Sequence, residues 1–151
     1  MSAKRKAPEI RNPLLNLVGY QLRRASAAMF NDLAVDLADL NLKPTSMSVL
    51  IVVGENEGVT QSRLGQLLGI KSANMAPLVG DLEARGLMQR LRLDGRSHNL
   101  RLTVDGRELC RQALERIAAN EARFLSALQT TDRAALIAAL EAIWTLPRKV
   151  S

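Results

Sequence analysis

The sequence predicts a mainly α-helical fold with one small β-hairpin, and three observations predict it. Hydrophobic residues make up 47% of the 151 residues, yet aromatics only 3%. The core is therefore built from Leu, Ala, Val, Ile and Met, and Ala and Leu are the best helix formers. Apolar residues recur at steps of three and four over most of the chain, the period of a helix with one buried face. Between Met88 and Thr103 that period gives way to alternation around Asp94-Gly95-Arg96-Ser97, which are turn residues.

From Pro13 to Leu42 the pattern predicts one long amphipathic helix, with Leu15, Val18, Leu22, Ala25, Met29, Leu33, Leu37 and Leu40 on one face. At about 1.5 Å per residue it would run about 40 Å, longer than a small domain is wide. It would then need a burial partner beyond its own domain, such as a second subunit. Lys43-Pro44-Thr45-Ser46 breaks it, and a second helix carries Met47, Leu50, Ile51 and Val53 as far as the glycine turn Gly54–Gly58. Thr60 then stands as an N-cap, without the acid three residues on that would complete a capping box. Leu64, Leu67 and Leu68 form the buried stripe of a short third helix that Gly69 ends. Ser72 caps a fourth, where Met75, Leu78, Val79 and Leu82 face inward and Gly86 closes. Two short helices joined by a glycine turn are a helix-turn-helix, and the hairpin that follows them is a wing with an arginine at its tip. Thr103 caps a fifth helix through Leu109, Ala113, Ile117, Phe124 and Leu125. A sixth follows Thr130-Thr131, with Leu136, Leu140 and Ile143 inward, and ends before Pro147.

The formal charge of +6 favours a polyanionic partner, nucleic acid first. Between Thr60 and Leu102 stand seven bases (Arg63, Lys71, Arg85, Arg90, Arg92, Arg96, Arg101) and three acids (Asp81, Glu83, Asp94), so this segment carries 7 − 3 = +4 of the total. The other basic cluster is Lys4, Arg5, Lys6 and Arg11, in a stretch that reads as a flexible arm over residues 1–12. One cysteine, Cys110, excludes an internal disulfide and fits a reducing compartment. One histidine, His98, beside one cysteine leaves too few soft ligands for a structural zinc site. No apolar run reaches the length of a membrane span. There is no paired-carboxylate motif, no Gly-rich phosphate loop and no nucleophile with a base, so no catalytic residue, metal or cofactor is expected.

Taken together, the chain resembles the MarR-type winged-helix transcriptional regulators from about Leu14 to Trp144. The resemblance is strongest over Val59–Ile70, Leu82–Leu87, the wing Asp94–Ser97, and Leu102-Thr103-Val104-Asp105-Gly106. It implies an obligate homodimer, with residues 13–42 and 104–147 interlocking as a helical dimerisation region and 43–103 forming the winged helix-turn-helix DNA-binding domain. It also implies a cytoplasmic repressor released from a pseudo-palindromic double-stranded operator by a small molecule or by oxidation. Two positions depart from the family pattern. Lys43 stands where a capping threonine is common. Pro77 lies inside the recognition helix, where it predicts a kink or an early 3₁₀ turn. The string Ile70–Val79, with Asp94–Ser97, is similar to a subgroup that senses hydroxycinnamoyl-CoA thioesters or related aromatic acids.

The candidate DNA contacts are Thr60, Lys71, Ser72, Ala73, Asn74, Pro77, Arg92, Asp94, Gly95, Arg96, Ser97 and His98. Arg96 is either a solvated turn arginine or an insertion into a narrow minor groove, whose enhanced negative potential attracts Arg. Asn74 either pairs bidentately with adenine or bonds the local backbone. Lys71 and Ser72 suit phosphates. Thr60 is a cap first and a phosphate contact second, and His98 reaches phosphate or sugar if it is not simply a surface residue. The resemblance puts an effector cleft between the first, second and fifth helices. Tyr20, Arg23, Arg24, Met29 and Met47 are its candidate ligand residues, the arginines meeting a carboxylate or a CoA phosphate. The alternatives are a redox-responsive regulator acting through Cys110 and a DNA-binding protein without an effector.

Overall fold

The computed structural model describes residues 11–94, 97–128 and 132–147. Its elements run α1 (Val18–Asp36), α2 (Pro44–Glu55), β1 (Val59–Thr60), α3 (Gln61–Leu68), α4 (Ser72–Ala84), β2 (Met88–Asp94), β3 (Ser97–Leu102), α5 (Val104–Ser126) and α6 (Arg133–Trp144). The three strands form an antiparallel sheet in the order β1-β3-β2. Of the segments read from sequence, Gly95, Arg96 and Thr130-Thr131 lie outside the described residues, as does most of the arm.

The single helix expected over residues 13–42 is three pieces. A 3₁₀ turn over Pro13–Asn16 is capped by Asn12, whose Oδ1 accepts from Leu14 N at 3.1 Å. Leu17 is extended, so regular helix begins only at Val18. At the far end a second 3₁₀ turn, Ala38–Leu40, runs into Asn41 in the left-handed region at φ 48°. Asparagine tolerates that conformation better than most residues, which makes it a stop signal. The 19 residues of α1 span about 28 Å at 1.5 Å each.

Leu37, Leu50, Leu64, Met75, Leu82 and Leu100 are fully buried, with Val49, Val53 and Val79. They bring α2, α3, α4 and the sheet onto one core. Leu67 departs from the expected stripe and is exposed. Leu64 faces the core with Leu68, one turn on, packed at its edge, and Leu67 lies on the flank of that pair. On the sheet, Met88 and Arg90 stand opposite Leu102 and Leu100; Met88 is buried, whereas Arg90 and Leu91 are exposed. Of the three residues expected inward on α6, Leu136 is half-buried, whereas Leu140 and Ile143 are exposed within this chain.

The junction between wing and α5 explains Leu102–Gly106 physically. Thr103 Oγ1 accepts from Gly106 N at 3.0 Å, capping α5, and donates to Gly86 O at 2.7 Å. Thr103 N donates to Leu87 O at 3.1 Å. Gly106 lies so close to Leu87 that an added Cβ would fall 1.9 Å from the Leu87 carbonyl oxygen. One threonine and one glycine thus lock α5 to the end of α4 and the start of the wing.

Candidate nucleic-acid interface and effector groove

Thr60 caps α3 as its chemistry dictates, its Oγ1 accepting from Arg63 N at 3.3 Å. Gly69, at φ 65°, turns the chain toward α4. The cap of α4 falls one residue earlier than the sequence suggested. Lys71 is extended and holds the N-cap position, with no side chain capping, and Ser72 is the first helical residue. Asn74 N and Met75 N both donate to Lys71 O, at 2.9 and 3.0 Å, so the first turn carries one 3₁₀-type bond. The helix then continues through Pro77 without a break. The missing N–H faces a solvent-side carbonyl one turn back, because Pro77 lies on the exposed face of α4. Water can satisfy that carbonyl, so α4 stays continuous across Pro77, and of the kink or early 3₁₀ turn expected there a 3₁₀-type bond is present in the first turn.

The outward face of α4 brings Lys71, Ser72, Ala73, Asn74 and Pro77 together, all exposed, while Met75, Val79 and Leu82 anchor the opposite face. Among the described residues the Asn74 side chain makes no hydrogen bond, so local backbone bonding does not occupy it. Arg92, Asp94 and Ser97 take part in the β2/β3 ladder, Arg92 opposite His98 and Asp94 opposite Ser97, with an irregularity between Arg92 and Asp94. His98 is on β3.

The charge of this module is partly internal. Arg90 Nε donates to both oxygens of Glu83, at 3.0 and 2.9 Å, and its Nη2 donates to Gln61 Oε1 at 3.2 Å. Arg85 pairs with Asp81 at 3.6 Å, and Arg101 pairs with Glu57. Arg63 and Lys71 have no carboxylate partner among the described residues, and Arg63 bonds Gln66 Oε1 at 3.3 Å. In a count of charges the seven bases are alike, whereas in the fold three of them are paired with acids, and two of those pairs join different elements. Arg90 ties β2 to both helices of the helix-turn-helix and so fixes the attitude of the wing. Arg90→Ala is expected to weaken operator binding several-fold with an unchanged salt slope, while costing only about 0.5 kcal/mol of stability, because the pair is partly exposed. Anisotropy titrations at several salt concentrations check this. A slope lower by about 0.9 for each subunit would show instead that Arg90 touches phosphate.

Of the candidate ligand residues, Tyr20, Arg23 and Arg24 form one cluster on α1. The two guanidinium groups lie 5.2 and 5.8 Å from the Tyr20 ring centroid. Asn12 Nδ2 donates to Tyr20 Oη at 3.2 Å, and that bond, with the two arginines, holds the phenol below its ordinary pKa. Met29 lines an apolar groove of about 500 Å³ between α1, α5 and α6. Met47 is not on it. It is buried in the core, because α2 turns Met47, Val49, Leu50 and Val53 inward. The groove therefore involves α6 where the resemblance suggested α2.

Sequence reasoning missed a polar clasp beside this groove. Asn120 Nδ2 on α5 donates to Asp32 and Asp36 of α1, both at 3.1 Å, and Arg123 pairs with the same two carboxylates. Arg116 adds a bond to Asp39 at 2.7 Å. The signal was present as three aspartates at steps of four and three on the polar face of α1 and the turn that follows it.

Cys110 is buried against α2, where burial first and the charge of Glu55 second raise its thiol pKa. Oxidation and alkylation proceed through the thiolate, so this environment disfavours the redox reading. Native protein at neutral pH is expected to resist iodoacetamide, with labelling only on denaturation. Labelling of the folded protein at the rate of a free thiol would contradict this environment.

A helix-turn-helix with an exposed polar face on its second helix, followed by a basic hairpin locked to it, defines a winged-helix DNA-binding protein. The profile of the MarR family matches residues 40–97. The transcriptional repressor CouR, solved bound to a 23-mer DNA duplex, is 35% identical over 90% of this chain and 99% of that chain, with a TM-score of 0.82. The same repressor bound to p-coumaroyl-CoA is 33% identical over 92% and 100%, with a TM-score of 0.82. CouR from Rhodococcus jostii RHA1, bound to p-coumaroyl-CoA, is 27% identical over 93% and 100%, with a TM-score of 0.79. The chain belongs to the MarR family of transcriptional regulators.

Proposed function

We propose that this regulator is a cytoplasmic homodimeric repressor whose two α4 helices enter successive major grooves of a pseudo-palindromic operator, and that an aromatic acyl-CoA thioester releases it. The observation that carries the effector reading is the sequence of α1 itself. Leu22 and Ala25 line the apolar groove, and Arg23 and Arg24 stand exposed on the adjoining faces of the same turn, beside the Tyr20 ring and without a carboxylate partner among the described residues, where they could meet the phosphates of a CoA ester. The anionic nucleotide of a CoA ester suits the arginines, and the apolar groove beside them, lined in part by Phe30, Leu140, Ile143 and Trp144, is surface that a second copy would share. The relatives solved with DNA and with p-coumaroyl-CoA support both halves of the reading. Exposed Phe30, Val35, Leu140, Ile143 and Trp144 on α1 and α6 supply the apolar surface that a second copy would bury, with residues 13–42 and 104–147 as the dimerisation region and 43–103 as the reading head. Two-fold symmetry then sets half-sites about 34 Å apart. The ligand acts by binding the DNA-incompetent arrangement more tightly, and that difference in affinity sets how far it shifts the dimer.

The test is fluorescence anisotropy on labelled DNA from upstream of the protein's own gene, at fixed salt, with p-coumaroyl-CoA, p-coumarate and CoA titrated separately. Release by the thioester alone supports the proposal, and release by p-coumarate alone moves the effector class to free aromatic acids. Tight binding that none of the three relieves overturns the effector reading. Arg96→Ala is expected to weaken operator binding in the same assay, and unchanged affinity would remove the wing tip from the interface.

A further inference from the structure

The reading head is carried by two struts. α1 enters it through Ala38–Leu40 and the left-handed Asn41, and α5 leaves it at Thr103, which is bonded to Gly86 and Leu87. The head therefore tilts by sliding one strut along the other. A ladder of three rungs opposes that sliding. Asp32, Asp36 and Asp39 recur at steps of four and three on α1 and the turn after it, and Arg116, Asn120 and Arg123 recur at the same steps on α5, running the opposite way. Arg116 meets Asp39 at 2.7 Å, Asn120 Nδ2 donates to Asp32 and Asp36, both at 3.1 Å, and Arg123 pairs with those same two carboxylates. The rungs are not equal. The two arginine rungs are exposed, and exposed ion pairs hold a geometry weakly. Asn120 is only 4% exposed, the one buried polar side chain of α1 and α5 among the described residues. Its surroundings are apolar, with Met29 and Leu33 on α1 and Ile117 on α5. Apolar contacts at helical spacing recur with every turn, so they tolerate a shift of register. A buried amide does not, because a slip of one turn takes Nδ2 away from both carboxylates and leaves it unpaired. A single buried asparagine sets the register of paired helices on this principle, at a cost in stability.

We propose that Asn120 fixes the register of α5 on α1 and thereby the distance between the two α4 helices of the dimer, which makes it a specificity-determining residue for the spacing of the operator half-sites. The proposal rests on the reading above, in which two α4 helices enter successive major grooves, and adds to it the residue that sets their separation. A slip of one helical turn moves α1 by about 5.4 Å along α5, against about 3.4 Å between stacked base pairs, so one step of register exceeds one step of DNA.

Asn120→Leu tests this, because leucine keeps the contact and removes its one register-specific bond. Affinity is measured by anisotropy on the pseudo-palindrome upstream of the protein's own gene, and on duplexes whose half-site spacer is one base pair longer or shorter. The wild type is expected to prefer the native spacer by about tenfold, since any other requires the DNA to be deformed to fit. Asn120→Leu is expected to bring that preference below about threefold, while remaining dimeric in sedimentation and melting no lower than the wild type. Asn120→Ala, which adds no bulk, should lose the preference likewise. A nitroxide on Ala84→Cys, exposed at the end of α4, reports the distance between heads. It should give one narrow distribution with Asn120 present and a broad or shifted one with Asn120→Leu. Equal affinity of the wild type for all three spacers overturns the operator reading, and the proposal with it. A preference that survives in both Asn120 variants overturns the proposal and leaves the operator reading standing. So does a uniform loss of affinity at every spacer with a lowered Tm, which would make Asn120 a structural residue only, and so does a monomeric variant, which would place the ladder in the subunit interface.

Discussion

Gly106→Ala is expected to destabilise the protein by roughly 3 kcal/mol, the upper end of what one methyl group forced into a packed site costs. Gly106 is helical, so its conformation does not demand glycine. The reason is space. Its ideal Cβ would meet Leu87 O at 1.9 Å and Leu87 C at 2.9 Å, and both are backbone atoms that cannot swing aside as a side chain can. Leu87 O also accepts from Thr103 N, so moving the carbonyl breaks the bond that closes the wing against α5. For a chain of this size the loss corresponds to a fall in Tm of roughly 6–12 °C. Gly80→Ala is the matched control, because a Cβ there meets nothing within 4 Å and α4 is continuous across it. It should be neutral or stabilising by up to about 1 kcal/mol, the helix propensity difference between the two residues. Thermal melts of the two variants side by side decide the matter. A Gly106→Ala protein that melts within a degree or two of wild type would show that α5 is not seated on Leu87 as described.

The contrast between these glycines illustrates what sequence alone conveys. Caps and stops depend on a residue and its immediate neighbours, so Thr60, Thr103, Gly69 and Gly86 announce themselves, and the alternation of β2 and β3 is equally local. Where the outcome depends on distant partners, the pattern is ambiguous. The heptad-like stripe of residues 15–40 runs straight across Leu17 and Leu37, and only the backbone conformations there, with Asn41 left-handed, show that the helix is interrupted. β1 has two residues, too few to carry any period, and exists because Val59 and Thr60 pair with Leu100 and Asn99. Arg90 is indistinguishable in sequence from a phosphate-binding arginine, yet its partners are 7 and 29 residues away. Asn120 carries no motif at all. Its significance comes from two carboxylates 88 and 84 residues earlier in the chain and from an apolar groove that the topology creates. The exposed face of α4 was thus legible residue by residue, whereas the candidate ligand residues were legible only as a cluster on the first helix.

Asn74 and Lys71 are expected to fail in different ways, and the difference separates base reading from phosphate holding. Both are exposed at the start of α4, and neither side chain is engaged in a bond within the described chain, so removing either leaves the core intact. Each alanine variant should melt within about 0.5 kcal/mol of wild type, as surface changes away from packed features do. Asparagine offers a donor and an acceptor side by side, the pattern that matches adenine N7 and N6 in the major groove, and such a pair contributes about 1–3 kcal/mol of discrimination. Asn74→Ala should therefore lower affinity for the operator by roughly 5- to 150-fold per half-site and leave binding to random duplex and the salt slope unchanged. Lysine offers a point charge. Lys71→Ala should weaken operator and random duplex alike and reduce the salt slope by about 0.9 for each phosphate no longer neutralised, hence by about 1.8 for a dimer. The measurement is a pair of anisotropy titrations, operator and random DNA, over a range of salt concentrations for all three proteins. If Asn74→Ala weakened both duplexes equally, the helix would be set on the backbone at that point and base reading would have to move along α4, toward the face that carries Pro77. If Lys71→Ala changed the operator affinity alone, the charge at the head of α4 would be acting through the bases or through the fit of the helix in the groove, because a lysine bound to phosphate cannot distinguish one sequence from another.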